Sequence, residues 1–161
     1  MESEVHDFIA IGLGPFNLSL SCLAEPIANL NGLFLERAPE FNWHPGMLID
    51  NTTLQNPFLA DLVSLADPKS RFSFLNYCKQ EGKIYSYYFR ENFYLSRAEY
   101  NRYCKWVVAQ LTCARQQGAT HIADIVTQLT THADHVTLHT AAGQVVQAAR
   151  VIVAAGAYSG L

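Results

Sequence analysis

The stretch that decides the fold is DFIAIGLGPFNLSL, which runs from Asp7 to Leu20. The short apolar run of Val5–Ile11 predicts a buried β-strand, and the residues after the glycines predict an α-helix that ends near Pro26 or Asn29. GLFLE (Gly32–Glu36) predicts a second short strand. A strand, a glycine-rich turn, a helix and a second strand within about thirty residues form a βαβ unit, so the two strands should be parallel.

The turn GLGPFN is a G-x-G-x-x-N variant of the dinucleotide-binding fingerprint. Its first glycine permits a tight strand-to-helix turn, and its second lets the main chain approach a pyrophosphate. The free N–H groups and the positive end of the helix stabilise phosphate charge, and a proline fits the first helical position. The alternative is a purely structural turn. The residues predicted to contact a nucleotide here are Gly12, Gly14, Pro15, Phe16, Asn17 and Leu18.

An acidic residue ends the second predicted strand. Glu36 follows Gly12 by 24 residues, close to the roughly 20-residue offset of the acid that hydrogen-bonds a ribose hydroxyl. A carboxylate disfavours a 2′-phosphate, because two anions would meet. The sequence therefore favours FAD or NAD over NADP at this turn, although the glutamate could also be incidental.

The composition bounds the class of protein. The chain has 161 residues, of which 50% are hydrophobic and 16% charged, and this predicts one folded domain. A net charge of −3 gives no electrostatic reason to expect a nucleic-acid partner. Glu2 and Glu4 stand where a signal peptide carries positive charge, and the apolar runs are too short to span a bilayer. These features predict a soluble cytoplasmic protein without membrane insertion.

Four cysteines, Cys22, Cys78, Cys104 and Cys113, show no CxxC spacing. In a cytosolic protein this pattern predicts reduced thiols rather than a metal site or a catalytic thiol.

The rest of the chain divides into an irregular part and a regular part. Ala38–Lys69 is rich in Pro, Asn, Asp and aromatics, and such long irregular segments are often functional. RFSFLNYCKQEG predicts a helix with Phe72, Leu75 and Cys78 or Lys79 on one face. A longer helix follows, capped by Ser96, with Glu99 completing a capping box and Gly118 ending it. Alternating β-branched residues from Thr120 onward predict an antiparallel meander and then a buried strand.

Several motifs together resemble the flavin-dependent N-hydroxylating monooxygenases of siderophore biosynthesis, the lysine, ornithine and diamine N-monooxygenases. They are DFIAIGLGPFNLSL, FLERAPEFNWHPGM, TLQNPFLADLVSLADPKSRFSFLNY and SRAEYNRYCKWVV. The resemblance covers nearly the whole chain in order. It implies FAD as prosthetic group, NADPH as hydride donor and O₂ as oxidant, with one oxygen atom passing to a primary amine. The flavin contacts it implies are Gly12, Gly14, Pro15, Asn17, Glu36, Trp43, His44 and Gln55.

The residue types suit those contacts. Trp43 offers a rigid face to an isoalloxazine or ribityl chain, and the alternative is core packing. His44 offers a donor to phosphate or ribityl oxygen, and the alternative is a structural histidine. Gln55 both donates and accepts, which suits a hydroxylated chain or flavin edge, although it could be an exposed loop amide. No side chain is predicted as a general base.

One departure from the family concerns the substrate. In amino-acid hydroxylases the L-Q-x-x-F-L motif is followed by a lysine that pairs with the substrate carboxylate, whereas this chain has Ala60. A buried carboxylate without a charge partner is costly. A diamine such as putrescine or cadaverine, or a related amine such as histamine, is therefore favoured over lysine, the alternative. Asp61 is a candidate anchor for a distal ammonium, or else a local helix cap.

The last strand leads to Ala154, Ala155 and Gly156, which match the family's A-T-G-like element that returns to the FAD pocket. The resemblance implies an α/β, Rossmann-like, three-layer FAD domain with a small antiparallel meander. Residues 1–161 are expected to be an incomplete FAD-binding domain without the NADPH-binding domain, and a homo-oligomer is compatible with the complete enzyme. The alternative of another class is a non-catalytic FAD- or ADP-binding remnant. A thiol reductase is disfavoured, because it would need a CxxC near the flavin.

Overall fold

The computed structural model of the protein describes residues 5–113 and 119–156. Its elements in chain order are β1 (Val5–His6), β2 (Phe8–Ile11), α1 (Pro15–Ala24), β3 (Gly32–Glu36), a 3₁₀ helix (Pro45–Met47), β4 (Thr53–Pro57), α2 (Phe74–Gln80), α3 (Ile84–Arg90), β5 (Tyr94–Ser96), α4 (Arg97–Cys113), β6 (Ala119–Ala123), β7 (Val126–Thr131), β8 (Val136–Thr140), β9 (Val145–Ala148) and β10 (Val151–Val153).

The central sheet has four parallel strands in the order β10-β2-β3-β6. In its β2–β3 ladder Ile9 lies opposite Leu33. The βαβ unit predicted around the glycine turn is confirmed, with β3 over the predicted residues and α1 ending at Ala24. The participation of β6 in this sheet was not predicted.

The side chains of the central strands alternate between two hydrophobic clusters, as the period of two in a β-strand requires. Phe8, Ala10 and Phe34 join buried residues of α1, α2 and α4. Ile9 and Leu33 join Leu138 and Ala148 of the other sheet. The sheet is thus covered by helices on one face and by β-strands on the other, and the predicted three-layer, Rossmann-like α/β fold is confirmed.

The second sheet has the order β1-β9-β8-β7, and the predicted antiparallel meander is its β7–β8–β9 part. The prediction of a single strand over Val5–Ile11 was wrong. The chain breaks at Asp7, whose N–H donates to the Asn31 carbonyl (2.9 Å) and whose carboxylate accepts from the Asn31 N–H (2.8 Å). Residues before this clamp pair with β9, and residues after it pair with β3 and β10.

Helix α2 confirms the helix predicted in RFSFLNYCKQEG, but its predicted buried face was partly wrong. Leu75 is 44% exposed, whereas Phe74, Tyr77 and Cys78 are buried. The Ser73 hydroxyl caps the helix by accepting from the Asn76 N–H (3.2 Å), so the helix begins at Phe74. Phe72 is buried but precedes the helix, and Phe74 and Tyr77 face the core instead of Leu75.

Helix α4 is the long helix predicted after Ser96, whose hydroxyl accepts from the Glu99 N–H (3.1 Å). Within the described part of the chain, the Glu99 carboxylate does not make the reciprocal bond of a capping box. It accepts instead from Tyr77, Lys83 and Arg102. Gly118, the predicted helix end, lies outside the described residues.

The predicted irregular segment also contains regular structure. Strand β4 lies within it and pairs antiparallel with β5, with an irregularity between Thr53 and Pro57. That irregularity interrupts the alternation on which strand prediction depends. The following α3 was not predicted, and none of its residues is buried.

The last predicted strand is present as β10, but it is not buried as expected. Val153 is 67% exposed, because β10 lies at the edge of the central sheet as described. Edge strands lack a neighbour on one side, so their side chains keep more contact with water.

Three of the four cysteines, Cys22, Cys78 and Cys104, are free and buried. Burial raises the pKa of the Cys78 and Cys104 thiols to about 12, which keeps them protonated at neutral pH. The side chain of Cys113 lies outside the described residues. Within the described chain, no group of three or more potential metal-ligating side chains was found, and no helix is long and apolar enough to cross a membrane.

Candidate cofactor-binding site

A groove with a volume of about 230 Å³ opens where strands of the central sheet end. Ile11 and Gly12 line it from the end of β2, and Leu35 and Glu36 line it from the end of β3. Open α/β sheets bind ligands in the crevice outside the carboxyl ends of their strands. The groove therefore lies where the sequence placed a nucleotide.

The two glycines of the turn serve different structural purposes. Gly12 has φ +87°, and a Cβ there would lie 2.6 Å from the Ala154 carbonyl oxygen. Gly14 caps α1 in extended conformation, and an added Cβ would meet nothing within 4 Å. The first glycine thus allows β2 and β10 to approach each other, while the second leaves open space beside the main chain.

The amino end of α1 meets that open space. Pro15 is its first residue, as predicted, and Phe16 is 87% exposed. The Leu18 N–H donates to the Gly14 carbonyl (2.9 Å), which is the first intrahelical bond. The N–H groups before it precede any intrahelical acceptor and are available to an anion. The Leu18 side chain itself is fully buried, so a ligand could contact only its main chain.

Asn17, in the position of the third glycine, supports the turn. Its side chain is buried, and its amide donates to the carbonyls of Gly12 (2.7 Å) and Ile11 (3.2 Å). These bonds hold the strand end against the helix start. The predicted contact between Asn17 and a nucleotide stays a prediction, and its side-chain amide is already engaged.

Glu36 joins the second strand to the turn. One carboxylate oxygen accepts from the Leu13 N–H (2.7 Å) and the other from the Ala38 N–H (2.9 Å). Each carboxylate oxygen has two lone pairs, so both keep capacity for a hydroxyl. The acid predicted from its spacing to Gly12 is therefore fixed beside that turn, at the edge of the groove.

The predicted return of the last strand to the turn is confirmed. The Ala154 N–H donates to the Ile11 carbonyl (2.9 Å), and Ala155 lines the groove. This return brings the Ala154 carbonyl so close to the turn that only glycine fits at position 12.

Trp43 is half-buried and belongs to the edge of the helix-side core. Its ring contacts Tyr100 (centroids 5.0 Å apart), and the Arg97 guanidinium lies 4.6 Å from its centroid. Its backbone N–H donates to the Asn101 side-chain oxygen (2.8 Å). The tryptophan is thus held by α4, and both predicted roles, core packing and a cofactor face, are compatible with its position.

The two remaining flavin contacts implied by the resemblance are exposed. His44 has left-handed backbone (φ +43°), and its ring contacts Trp43 with centroids 5.1 Å apart. Gln55 lies on β4 and is open to solvent. The described contacts bring Trp43 and His44 together, but they do not link this pair to the glycine turn.

The two candidate substrate residues differ. Ala60 is exposed and follows a turn in which its N–H donates to the Pro57 carbonyl (2.9 Å). The Asp61 carboxylate is occupied by the N–H groups of Val63 (2.8 Å), Ser64 (2.6 Å) and Phe74 (2.6 Å) and by the Ser64 hydroxyl (2.7 Å). These four bonds favour the local capping role of Asp61 over the anchoring of an ammonium.

Asp61→Asn is expected to lower the free energy of unfolding by about 1–3 kcal/mol. The substitution replaces one carboxylate oxygen by an NH₂ group, which cannot accept the hydrogen bonds that this oxygen now receives. Urea unfolding followed by circular dichroism measures the change. Asp50→Asn, at an exposed position, is the matched control and should leave the midpoint unchanged. Equal midpoints for both variants would contradict the capping role.

Sequence reasoning missed several residues of the site. Arg97 and Asn101 hold Trp43, and Asp124, Ile125 and Val126 line the groove. A detectable signal existed for Asn101, which is a polar residue among the buried positions of α4. The residues of the β6–β7 connection carry no motif, since only the pairing of β6 with β3 brings them to the groove.

Comparison with known proteins places this geometry in context. Residues 4–161 match the family model described as L-lysine 6-monooxygenase/L-ornithine 5-monooxygenase. The chain is 61% identical over 125 residues to an alcaligin biosynthesis enzyme of Bordetella pertussis, covering 75% of this chain and 27% of that protein. It is 55% identical over 112 residues to a putrescine N-hydroxylase of Shewanella oneidensis, covering 70% and 22%. The chain thus spans about a quarter of the length of these relatives.

A solved structure agrees with the sequence relatives. The FAD-bound cadaverine monooxygenase of the desferrioxamine pathway from Erwinia amylovora superposes with a TM-score of 0.84 and 42% identity, over 95% of this chain and 36% of that one. An ornithine N-hydroxylase of Kutzneria gives a TM-score of 0.85 and 28% identity, over 95% and 38%.

Proposed function

The chain belongs to the L-lysine 6-monooxygenase/L-ornithine 5-monooxygenase family, and on that premise we propose that it is the FAD-binding part of an NADPH-dependent monooxygenase. The complete enzyme would N-hydroxylate a primary amine for a hydroxamate siderophore. A diamine such as putrescine or cadaverine is the favoured substrate.

The observation that carries the FAD assignment is the groove at the glycine turn. Gly14 leaves the main chain open. The Phe16 and Asn17 N–H groups precede any intrahelical acceptor, which supports donation to a diphosphate. Glu36 is held beside this turn by the Leu13 N–H, with lone pairs left for a ribose hydroxyl. The donor set therefore fits a dinucleotide without a 2′-phosphate.

The chemistry that a flavin supplies when bound is hydride acceptance from NADPH and activation of O₂. The residues of this chain bind and orient it. The amide groups of the turn neutralise the diphosphate charge, Glu36 positions the ribose, and Trp43 offers a ring face fixed by Arg97 and Tyr100. His44 and Gln55 are proposed as further polar contacts.

The amine must lose its charge before it can accept an oxygen atom. A dry pocket favours the neutral amine, because desolvation disfavours an ammonium. No general base is assigned for this step.

The substrate proposal depends on Ala60. It provides no cation at the position where amino-acid hydroxylases of the family carry a lysine, and Asp61 is occupied by its own loop. A carboxylate substrate would therefore lack a charge partner here. The names of the putrescine N-hydroxylase and cadaverine monooxygenase relatives support the same class.

A titration with FAD tests the cofactor assignment. The 161-residue chain should bind FAD with measurable heat and a change in flavin fluorescence. ADP should compete with FAD, while NADP⁺ should not, because Glu36 repels the 2′-phosphate. The FAD-loaded chain is expected to lack steady NADPH oxidation. Absence of FAD binding by folded protein would refute the assignment, and FAD binding without any turnover in a completed enzyme would favour a non-catalytic remnant.

An exchange chimera tests the substrate class. The chain replaces the matching segment of the Shewanella oneidensis putrescine N-hydroxylase, and products are measured with putrescine, cadaverine, L-ornithine and L-lysine in competition. Diamines should be hydroxylated preferentially. Ala60→Lys should shift the preference toward the amino acids by at least about tenfold, since about 1.4 kcal/mol of charge pairing suffices. An unchanged ratio in Ala60→Lys would show that position 60 does not select the substrate.

A further inference from the structure

A continuous series of aromatic rings crosses the helix-side core from Trp43. The ring centroids of Trp43 and Tyr100 are 5.0 Å apart, those of Tyr100 and Tyr103 6.0 Å, those of Tyr103 and Tyr77 5.7 Å, and those of Tyr77 and Trp106 5.5 Å. We call these five residues the aromatic chain. Every member is a tryptophan or a tyrosine, the two side chains that one-electron oxidants oxidise most readily.

The interior of the aromatic chain is shielded from water, and its ends are not. Tyr77, Tyr100 and Tyr103 are buried. Trp43 and Trp106 are only partly buried. If Trp43 loses an electron, the resulting electron vacancy can therefore pass from ring to ring through residues that are shielded from water.

The three buried tyrosines differ in what receives their phenolic proton. The Tyr100 hydroxyl is hydrogen-bonded to the Cys104 thiol, which is already protonated at neutral pH because burial raises its pKa to about 12. The Tyr103 hydroxyl donates to the Phe72 carbonyl (2.6 Å), which cannot keep a proton. The Tyr77 hydroxyl donates to the Glu99 carboxylate (2.9 Å), which can. An oxidised tyrosine becomes a stable neutral radical only if its proton leaves, so Tyr77 is the place in the chain where a vacancy can come to rest.

The surroundings of Glu99 keep it ready for that proton. Burial would raise the pKa of Glu99, but hydrogen bonds from Arg102, Lys83 and Tyr77 outweigh it and lower the pKa. The carboxylate is therefore ionised at neutral pH. The Lys83 ammonium lies 3.0 Å from the same oxygen and 2.9 Å from the Tyr77 hydroxyl, which fixes both groups in place.

We propose that Tyr77 and Glu99 form a redox-active pair. When Trp43 is oxidised, Tyr77 supplies an electron to it through the aromatic chain. Tyr77 gives up one electron, which reduces the oxidant, and its phenolic O–H bond breaks as the proton passes to a Glu99 oxygen. The products are a neutral Tyr77 radical and a protonated Glu99. In the cell the oxidant would be an oxygen-centred radical derived from O₂, such as a peroxyl or hydroxyl radical, which the electron reduces to the corresponding anion. This role rests on the proposed monooxygenase function.

The experiment uses a soluble oxidant and so does not depend on FAD. Photogenerated ruthenium(III) tris-bipyridine removes one electron from the protein, and rapid freezing followed by electron paramagnetic resonance detects the radical. Exposed tyrosines would react directly, so the parent for this test carries Tyr85→Phe, Tyr88→Phe and Tyr94→Phe. It also carries Tyr158→Phe, at a position that lies outside the described residues. This parent retains all three tyrosines of the aromatic chain and Tyr87.

The parent should give a tyrosyl radical. Tyr77→Phe, which keeps the ring and its packing, should reduce the radical yield at least about tenfold, and Glu99→Gln should do the same with Tyr77 present. Tyr87→Phe is the matched control: its ring also packs on Phe74 (centroids 5.2 Å apart), and it should leave the yield unchanged. Circular dichroism of each variant checks that it is folded.

Two results would overturn the proposal. One is the absence of any tyrosyl radical in the folded parent, and the other is an undiminished radical in Tyr77→Phe. If Glu99→Gln does not fold, Tyr77→Phe still decides the question, since it removes only a hydroxyl. Failure of this test together with FAD binding would leave the cofactor assignment intact and remove the radical pair alone.

Discussion

Gly12→Ala is expected to lower the free energy of unfolding by about 3 kcal/mol and to weaken FAD binding by roughly a hundredfold. An alanine at φ +87° is strained, and its Cβ would lie 2.6 Å from the Ala154 carbonyl oxygen. That oxygen belongs to backbone, so relief requires the turn or the end of β10 to move. Chemical denaturation and isothermal titration calorimetry with FAD measure the two effects.

Gly14→Ala separates the fold from the ligand. The backbone conformation of Gly14 is allowed for any residue, and a Cβ would meet nothing within 4 Å. The free energy of unfolding should therefore change by less than about 1 kcal/mol. FAD affinity should still fall by about tenfold, because the new methyl group occupies the space beside the phosphate-binding amides. If Gly14→Ala binds FAD as tightly as the unaltered chain, the diphosphate does not lie at this turn.

Glu99→Ala is the second substitution with a large expected effect. Its carboxylate receives hydrogen bonds from Tyr77 (2.9 Å) and Lys83 (3.0 Å) and pairs with Arg102, tying α2 and the start of α3 to α4. Removing the carboxylate should lower the free energy of unfolding by roughly 2–3 kcal/mol. Breaking a fully buried pair costs about 3–5 kcal/mol, and the loss is smaller here because Lys83 can be hydrated. Glu81→Ala, at an exposed position of α2's end, should change stability by less than about 0.5 kcal/mol.

The same carboxylate predicts a dependence of stability on acid. The pKa of Glu99 is lowered in the folded protein from its ordinary value of 4.5. Its contribution is therefore present above pH 4.5 and is lost as the pH falls through the lowered pKa. Unfolding midpoints measured from neutral to acid pH should decline less steeply in Glu99→Ala. Parallel curves for the two proteins would contradict this assignment.

The glycine turn and its acid could be predicted because their causes are local. A strand, two glycines and a helix start lie next to each other in sequence, and Glu36 follows at the end of the next strand. In α2, Leu75 was wrongly assigned to the same face as Cys78, since the helix starts at the Ser73 cap rather than before Phe72. The capping box at Glu99 was predicted from spacing alone, but three donors, from α2, from the residue before α3 and from α4, compete for that carboxylate.

The sequence carries no signal for the aromatic chain or for the contacts that hold Trp43 that is as strong as the one for the glycine turn. Tyr77 and Tyr103 belong to different helices, and their ring contact depends on how α2 crosses α4. Asp61 illustrates the same limit: its motif allowed an ammonium anchor or a cap, and the Phe74 N–H that helps to decide between them lies 13 residues away.

The amino-acid sequence by itself determined the βαβ unit, the glycine turn and the family, because each depends on residues close together along the chain and on their spacing. Tertiary structure alone decided which strands share a sheet, which face of each helix is buried, and which donors reach Glu36, Asp61 and Glu99. Those outcomes depend on contacts between distant segments, and a carboxylate or a ring carries no mark in the sequence of the partner it will meet after folding.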